Sequence, residues 1–238
     1  MKNQGQGVAT QTAEQDTQSV RDFISRAVHD LREPLRGIRL GSRLVLADGR
    51  DSLDENAIKG SQYLTDCVER METLIHDIAE YCYAEVRNLE FEETDLKDVL
   101  DDVRRELAGE LKSTSAIITH DPLPIVTGDS CSLAIVFRCL IGNACKFRSE
   151  VAPSIHISSE RQELSWMLSI RDNGLGFDPA YRERIFRPFE KLNGKQYPGS
   201  GLGLSLAKRI IEQHGGQISA QSQPGLGATI CFTLPVAS

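Results

Sequence analysis

The stretch PGSGLGLSLAKRIIEQHGG, residues 198–216, decides how the second half of the chain folds. Gly199, Gly201 and Gly203 lead directly into a run with the period of an amphipathic helix, which we expect over 203–214. A glycine-rich helix start presents several backbone N–H groups and the positive end of the helix dipole to the same place, which favours binding of a phosphate group. A Rossmann fingerprint would need a strand just before the glycines, and a Walker A loop would need Gly-Lys-Ser/Thr after them. Neither is present, and a flexible loop with C-cap glycines remains the alternative.

Strand-like and helical runs interleave around this stretch from about residue 91 onward. Strands outnumber helices and short turns join neighbouring strands, so we expect an α+β sheet with helices on one face. The expected strands are 116–120, 154–159, 164–171, 217–222 and 228–234, and the expected helices are 96–111, 130–147 and 203–214.

The first part of the chain, from about residue 20 to 83, has helical periodicity and almost no strand signal. Turn and cap residues lie in LADGRDSLDEN, 46–56, so the pattern predicts a helical hairpin. Two helices cannot bury both apolar stripes by themselves, and we therefore expect a dimeric four-helix bundle. The first stripe comprises Val20, Ile24, Ala27, Leu31, Leu35 and Ile38; the second, with heptad spacing, comprises Leu64, Val68, Met71, Ile75, Ile78 and Cys82. The expected divisions are a polar tail or linker (1–17), the hairpin (18–88) and the sheet domain (89–238).

Composition excludes several classes of protein. The 238 residues are 40% hydrophobic and 26% charged, with a net charge of −7, so a disordered chain and generic nucleic-acid binding are disfavoured. None of the six cysteines forms a Cys-x-x-Cys pair, which indicates reduced thiols in the cytosol. The N-terminus is polar, and no apolar run approaches the ~20 residues of a membrane span.

The segment HDLREPLRGI, residues 29–38, carries the first chemical feature. His29 lies roughly 160° from the centre of the apolar stripe, so it points into water, and Asp30 follows it and could orient the imidazole or take its proton. A solvated helix face is the alternative. The arginines at spacings of 4, 3 and 4 on the same side, Arg32, Arg36, Arg39 and Arg43, could meet phosphate or an acidic partner.

Two further segments place polar side chains among apolar or glycine-rich neighbours. CLIGNACKF, 139–147, holds Asn143 and Lys146 one turn apart, and an amide oxygen suits Mg²⁺; the alternative is an amide satisfied within the core. IRDNGLGFDP, 170–179, places Asp172 at a strand end before Gly174 and Gly176, although many loops contain Asp-Asn-Gly turns.

The order of these motifs across most of the chain, from about residue 23 to 235, resembles the sensor histidine kinases of two-component systems. The segment EKLNGKQYPGSGLGL, 190–204, is most similar to kinases of the phytochrome-like class. The resemblance implies that the hairpin is the dimerisation and phosphoacceptor domain, with His29 phosphorylated and Asp30 and Glu33 beside it. It also implies that the second domain has the Bergerat-type ATP-binding fold of gyrase-like ATPases.

The same resemblance implies a set of ATP and Mg²⁺ contacts. Asn143 matches the magnesium ligand and Asp172 matches the carboxylate that binds the adenine amino group. Lys191 would open an unusually short ATP lid that ends at Tyr197. The remaining expected nucleotide contacts are Lys146, the glycines Gly174 and Gly176, the aromatic pair Phe186 and Phe189, the second glycine segment Gly199, Gly201, Leu202 and Gly203, and Thr229 after Gly225 and Gly227.

The implied activity is that of an ATP-dependent histidine autokinase, which passes the phosphoryl group to an Asp of a response-regulator receiver domain. The implied partners are a second copy, bound through the hairpin, that receiver, and an upstream sensor domain or partner outside this sequence. The expected location is the cytoplasm, or the cytoplasmic part of a longer sensor. The alternative is a non-catalytic nucleotide-binding scaffold. A gyrase- or chaperone-type ATPase would not need His29.

Two positions depart from the family pattern. Glu33 stands four residues after the phosphoacceptor, where kinases that also dephosphorylate their partner usually have Thr or Asn, which argues against phosphatase activity. Cys139 stands one turn before Asn143, where the family often has Asn, which changes the hydrogen bonding around the metal site.

Overall fold

The computed structural model of the chain describes residues 28–33, 35–43, 55–192, 197 and 199–236. The chain divides into two compact units, Met1–Arg87 with Pro198–Ser200 and Asn88–Tyr197 with Gly201–Ser238. The expected tail (1–17), the first half of the predicted apolar stripe (20–27) and the centre of the expected lid (193–196) lie outside the described residues.

The first unit contains two helices, as the periodicity predicts. Residues 28–33 and 35–43 are helical and form α1, and Glu55–Val86 forms α2. Leu35 of α1 packs between Val68 and Ile75 of α2, all three less than a tenth exposed, and Val28 packs against this cluster. The apolar side chains of one helix therefore bury those of the other.

The heptad row of α2 divides into two sets, apart from Cys82 at its end, which is half-buried. Val68 and Ile75 are buried within the hairpin, whereas the members that precede or follow them by three or four residues are exposed. Two stripe members of α1, Leu31 and Ile38, are also exposed, at 53% and 48%. We call the exposed set of α2 the outer row; it comprises Leu64, Met71 and Ile78, each seven residues from the next.

Polar contacts fix the pairing of α1 with α2. Ser42 Oγ donates to Ser61 O at 2.8 Å, and Ser61 Oγ donates back to Ser42 O at 3.0 Å, with both side chains buried. Arg39 Nη1 bonds Glu72 Oε2 at 2.9 Å. Buried hydroxyls that satisfy one another set the register of two helices, because sliding would leave them unpaired.

The second unit is a five-stranded sheet covered by helices on one face, as predicted. The strand order is β2-β4-β5-β7-β6; β2 and β4 are parallel and the other pairs are antiparallel. The strands are β1 Glu92–Asp95, β2 Ile117–His120, β3 Ile125–Gly128, β4 Ser154–Arg161, β5 Ser165–Asp172, β6 Ile218–Ser222 and β7 Ala228–Pro235. The helices are α3 Leu96–Glu106, α4 Ala108–Thr114, α5 Ser130–Lys146 and α6 Gly203–Gln213.

Alternate residues of the central strands form the core beneath α3, α5 and α6. Ile157, Leu168 and Phe232 are at most 1% exposed, and the Phe137 ring of α5 meets the Phe232 ring edge-on at 6.3 Å. Their neighbours on the other sheet face are mostly Ser, Thr and charged residues. One sheet face is therefore covered, and the polar site residues lie where strands and helices end.

The structure differs from the expectation in two places. The predicted helix 96–111 ends at Glu106, and α4 restarts at Ala108 after Leu107, whose N–H bonds Val103 O. The strands β1 and β3 were not predicted; they pair with each other as a separate two-stranded sheet.

Candidate active site

His29 lies on the solvent side of α1, as the helical wheel predicts. Its side chain is 74% exposed, and its Nδ1 lies 3.2 Å from Asp30 Oδ1. A carboxylate can only accept, so this contact assigns the ring proton to Nδ1 and leaves the lone pair on Nε2. An exposed imidazole with a free Nε2 is a nucleophile accessible to a large substrate.

One of the four arginines predicted to share a side of α1 with His29 makes an ion pair within the hairpin. Arg39 forms an ion pair with Glu72 of α2, so this arginine links the two helices of the hairpin. Arg36 and Arg43 are exposed, and Glu33 is exposed on the turn after Asp30.

Asp172, at the end of β5, is the centre of the second group of predicted residues. Its Oδ1 accepts the backbone N–H groups of Gly174 at 2.8 Å and Ala228 at 3.1 Å. Burial raises the pKa of its carboxyl, and the two backbone hydrogen bonds oppose that rise. Because both bonds end on Oδ1, the carboxylate is fixed in orientation and Oδ2 is left to meet a ligand.

The first glycine segment folds tightly against the end of α5 and the β6–β7 turn. A Cβ on Gly174 would lie 2.5 Å from Phe147 O, and one on Gly176, where φ is +62°, would collide with Gln223 O. Leu175 N also bonds Phe147 O, at 2.9 Å. Glycine is needed at both positions because two backbones occupy the space of a side chain.

The end of α5 brings Asn143 and Lys146 to the same side of the second unit as Phe147. Asn143 is half-buried, and its backbone carbonyl accepts the Phe147 N–H at 2.9 Å. Lys146 Nζ lies 4.8 Å from the centre of the Phe147 ring, which also contacts the Tyr197 ring at 5.2 Å. The structure thus connects the Asn143 segment with the Asp172 segment through Phe147.

The second glycine segment begins α6, as predicted. α6 starts at Gly203, and its N-cap residue, the buried Leu202, makes no side-chain cap hydrogen bond. Gly201, with φ +83°, lies against the backbone of Phe189 and Glu190. Gly199 also has a positive φ, of 129°.

The aromatic residues before the lid occupy different environments. Phe186 is 8% exposed and belongs to the core, whereas Phe189 is 58% exposed and has a φ of +62°, in the left-handed region. Lys191 is exposed. Only Phe189 can therefore present its ring to a ligand without a rearrangement.

The structure does not bring Thr229 to Asp172. Asp172 is opposite Ile155 on the covered face of the sheet, whereas Thr229 is paired with Arg171 and Gln221 on the other face. The neighbouring Ala228 supplies the contact instead, through its N–H. The alternation of a strand explains the difference, because adjacent residues point to opposite faces.

Ala228 N–H and the Phe147 carbonyl were not predicted from the sequence. A backbone donor or acceptor has no side-chain signature, and Gly225 and Gly227 identify only the turn. The Tyr197 ring contact was also missed, although Tyr197 was expected to end the lid.

Both units match family models. Residues 19–81 match the His Kinase A (phospho-acceptor) domain, and residues 128–238 match the histidine kinase-, DNA gyrase B- and HSP90-like ATPase domain. A phosphoacceptor domain followed by this ATPase domain defines a class of signalling proteins. The chain belongs to that class, the two-component sensor histidine kinases.

The relatives include phytochromes, as the segment 190–204 predicts. The chain is 41% identical over 224 residues to Cyanobacterial phytochrome A of Nostoc and 35% identical over 224 residues to the Phytochrome-like protein Cph1 of Synechocystis. Each alignment covers 94% of this chain but only 29% and 30% of those proteins, so the chain spans less than a third of their length.

Solved structures share the fold. Full-length ShkA, crystallised with AMPPNP, superposes with a TM-score of 0.68 over 91% of this chain and 46% of that protein, at 23% identity. At that identity the likeness concerns the fold alone. Within the described residues, no helix has the length and apolar character needed to cross a bilayer.

Proposed function

We propose that this chain is an ATP-dependent histidine autokinase that phosphorylates His29 and passes the phosphoryl group to an Asp of a response-regulator receiver domain. The observation that carries the proposal is His29 itself, exposed on a helical hairpin with its Nδ1 bonded to Asp30 and its Nε2 free. A scaffold that only binds nucleotide would not need a nucleophile oriented in this way. Residues 18–88 would form the phosphoacceptor domain and 89–238 the ATP-binding domain.

Asp172 supports the assignment of ATP as the phosphoryl donor. A half-buried carboxylate whose Oδ1 is already bonded offers Oδ2 as an acceptor for a donor such as the adenine amino group. That contact would offset the cost of burying the charge, which the raised pKa of Asp172 reflects. Gly174 and Gly176 keep side chains out of the space beside it.

The opposite end of the nucleotide would lie towards α5 and α6. We assign its phosphates to Lys146 and to the N–H groups at Gly201, Leu202 and Gly203, because an uncapped helix start favours anions. Asn143 would hold Mg²⁺, since its amide oxygen is a ligand of the hard type that this ion prefers. When bound, Mg²⁺ would neutralise charge that develops on the phosphate oxygens.

The transfer step follows from the geometry of His29. Nε2 attacks the γ-phosphorus in line, a nitrogen–phosphorus bond forms, and the bond from the γ-phosphorus to the bridging oxygen of ADP breaks. The imidazole becomes cationic, and Asp30 balances that charge or accepts the Nδ1 proton. Catalysis of this kind rests mainly on positioning and on electrostatic stabilisation.

A second copy of the chain and a receiver domain are the proposed partners. The outer row and the exposed Leu31 and Ile38 supply apolar surface that pairing of two hairpins would bury. Arg36 and Arg43, which are exposed on α1 after His29, would attract the acidic pocket of a receiver.

The test incubates the chain with magnesium and [γ-³²P]ATP and examines the stability of the protein-bound label. We expect label that is labile in acid and stable in alkali, and its loss in His29→Ala. His76→Gln, which removes an exposed histidine of α2, is the control. Label retained by His29→Ala would refute the assignment, and nucleotide binding with no label at all would favour the scaffold.

A further inference from the structure

His214, at the end of α6, is a buried histidine that the proposed reaction does not use. Its side chain is 3% exposed. Its Nδ1 lies 2.8 Å from Ile210 O, and its Nε2 lies 3.0 Å from Asp129 N. A carbonyl only accepts and a backbone N–H only donates, so the ring is the neutral tautomer with its proton on Nδ1.

Asp129, the partner of His214, joins three parts of the second unit. It is 2% exposed and caps α5, because its Oδ1 accepts the Ser132 N–H at 2.8 Å. Its Oδ2 accepts the N–H of Glu90 at 3.0 Å. Glu90 belongs to the leading segment, residues 88–91, which lies between α2 and β1. The next residue, Phe91, places its ring 5.1 Å from the imidazole.

The two helices held by this pair are the ones that carry the proposed phosphate and magnesium contacts. α5 starts after the Asp129 cap and carries Asn143 and Lys146 near its end, and α6 starts at Gly203 and is followed by its C-cap residue, His214. A helix transmits a displacement of one end to the other because its backbone hydrogen bonds keep it rigid.

We propose that Asp129 and His214 are positioning residues of the nucleotide site, which fasten the leading segment to α5 and α6 and release it when His214 accepts a proton. The coupling to the nucleotide rests on the proposed function. The latch itself, that is the bonds among Glu90, Asp129 and His214, does not depend on ATP.

A proton on Nε2 would break the latch for a geometric reason. The protonated nitrogen would become a second donor facing the Asp129 N–H, and the acceptor of that bond would be lost. Burial lowers the pKa of His214, whereas the Ile210 bond and the charge of Asp129 act to raise it. Since the folded pKa lies below that of an unfolded histidine, about 6.5, the latch is intact above that pH and is lost as the pH falls through the folded pKa.

The other charged groups on the surrounding elements are directed elsewhere. Glu90 contacts Asp129 through its backbone, Glu92 Oε1 lies 3.4 Å from Ser130 Oγ, and Glu212 Oε1 lies 3.7 Å from Lys208 Nζ. Among the described residues, Asp129 is thus the charged group whose field acts on the imidazole.

The experiment measures amide hydrogen exchange of the leading segment in the 238-residue chain without nucleotide, in steps of falling pH from 7.5, corrected for intrinsic exchange. In the wild type, exchange at Glu90 should become roughly tenfold faster as the pH falls through the folded pKa of His214, the effect expected from losing one buried hydrogen bond. His214→Gln keeps an acceptor near Asp129 N–H but cannot titrate, so the pH step should disappear. His156→Gln, which removes a half-exposed histidine of the same unit, should keep it.

Asp129→Asn separates the two roles of the carboxylate. Its amide oxygen can still cap α5, but its NH₂ group cannot accept from Glu90, so exchange at Glu90 should be fast throughout the pH series. Adding magnesium and AMPPNP should slow that exchange in the wild type and leave it unchanged in Asp129→Asn. Nucleotide that binds without slowing Glu90 exchange would overturn the coupling, and an unchanged pH step in His214→Gln would overturn the latch.

The test of the latch can be decided even if nucleotide does not bind or a variant does not fold. If no nucleotide binds, the proposed function fails while the pH experiment still decides the latch. If His214→Gln does not fold, the ring nitrogens of the wild type can be followed by NMR. The expected result is an Nδ1–H tautomer whose pKa lies below that of an unfolded histidine, about 6.5, and the other tautomer, or a pKa at or above that value, would overturn the proposal.

Discussion

Asp30 determines which nitrogen of His29 is free to react. The 3.2 Å contact holds the proton on Nδ1, and in the proposed reaction the carboxylate would take that proton once Nε2 is phosphorylated. We expect Asp30→Asn to lower the autophosphorylation rate by about 10²-fold, because an amide can accept the hydrogen bond but cannot take the proton. The KM for ATP should not change, since Asp30 would not contact the nucleotide.

The initial rate of phosphohistidine formation over a range of ATP concentrations checks this prediction. Asp66→Asn, on the exposed side of α2, is the matched control. A variant that keeps the wild-type rate would exclude proton acceptance by Asp30.

In the proposed nucleotide site, the buried carboxylate of Asp172 would favour binding but lower the stability of the empty domain. Because burial raises its pKa, the ionised carboxylate destabilises the folded domain at neutral pH, and a bound amino group would recover that cost. We expect Asp172→Asn to weaken nucleotide binding about 10–100-fold, the effect of losing a hydrogen bond to a charged group, and to raise the Tm measured without nucleotide.

Calorimetry with AMPPNP and thermal unfolding provide the two measurements. Asp98→Asn, exposed on α3, should change neither result appreciably. A lower Tm in Asp172→Asn would show that the carboxylate stabilises the empty domain and would contradict the prediction.

The site residues that the sequence could predict are those whose side chains have a distinctive chemistry. Asp172 and Gly174 were predicted because a carboxylate before paired glycines is an unusual combination, and the structure joins these two residues by a hydrogen bond. Thr229, which was predicted to contact the nucleotide, pairs with Arg171 on the other face of the sheet from Asp172, and motif spacing alone does not show on which face a residue lies. The Ala228 N–H could not be predicted, because every residue except proline has that donor.

Two glycines near the end of α5 should respond in opposite ways to alanine. Gly142 lies inside the helix with nothing within 4 Å of an added Cβ, so Gly142→Ala should stabilise the chain by about 0.5–1 kcal/mol. Gly174→Ala would press a methyl group against Phe147 O at 2.5 Å and should destabilise it by about 1–3 kcal/mol. Urea unfolding measures the free energy of unfolding of both variants. Equal effects of the two substitutions would mean that the loop at Gly174 rearranges at little cost.

The exposed side of α1 should affect transfer to the receiver more than autophosphorylation. Arg36 is exposed, whereas Arg39 is held by Glu72. We expect Arg36→Glu to slow phosphoryl transfer to a receiver domain about tenfold at low salt and less at high salt, because attraction between exposed charges is screened. Arg70→Glu on α2 is the control, and rapid-quench kinetics at two salt concentrations are the measurement; equal rates for both variants would remove Arg36 from the docking surface.

Element boundaries were predictable where periodicity is strong and ends in a cap. α5 begins after Asp129 and α6 begins at Gly203, as expected. The break at Leu107 was missed because the apolar period continues across it. β1, with the sequence EETD, carries no apolar alternation, so its pairing with β3 depends on contacts distant in sequence.

At the scale of the whole molecule, the two-unit organisation and the covered sheet follow from the sequence, whereas the identity of the outer row does not. Heptad spacing marks both sets of α2 residues equally, and only packing shows that Val68 and Ile75 are used within the hairpin. The remaining set is the surface we assign to pairing of two copies.

Met71 lies at the centre of that outer row and is 50% exposed. Met71→Glu should convert dimers to monomers while leaving helix content unchanged, because a charge in an apolar interface is costly but the hairpin core does not contain Met71. Sedimentation equilibrium and circular dichroism measure the two properties. Thr73→Glu, exposed on the same helix, should remain dimeric, and a dimeric Met71→Glu would assign pairing to another surface.

Because the buried set and the outer row of α2 share no residue, the two can change independently. Substitutions at Leu64, Met71 and Ile78 could give a duplicated gene a new pairing preference while Val68 and Ile75 preserve the hairpin. Two related kinases in one cell could thereby avoid mixed dimers without any loss of folding. An engineer could use the same separation to build orthogonal pairs on one scaffold.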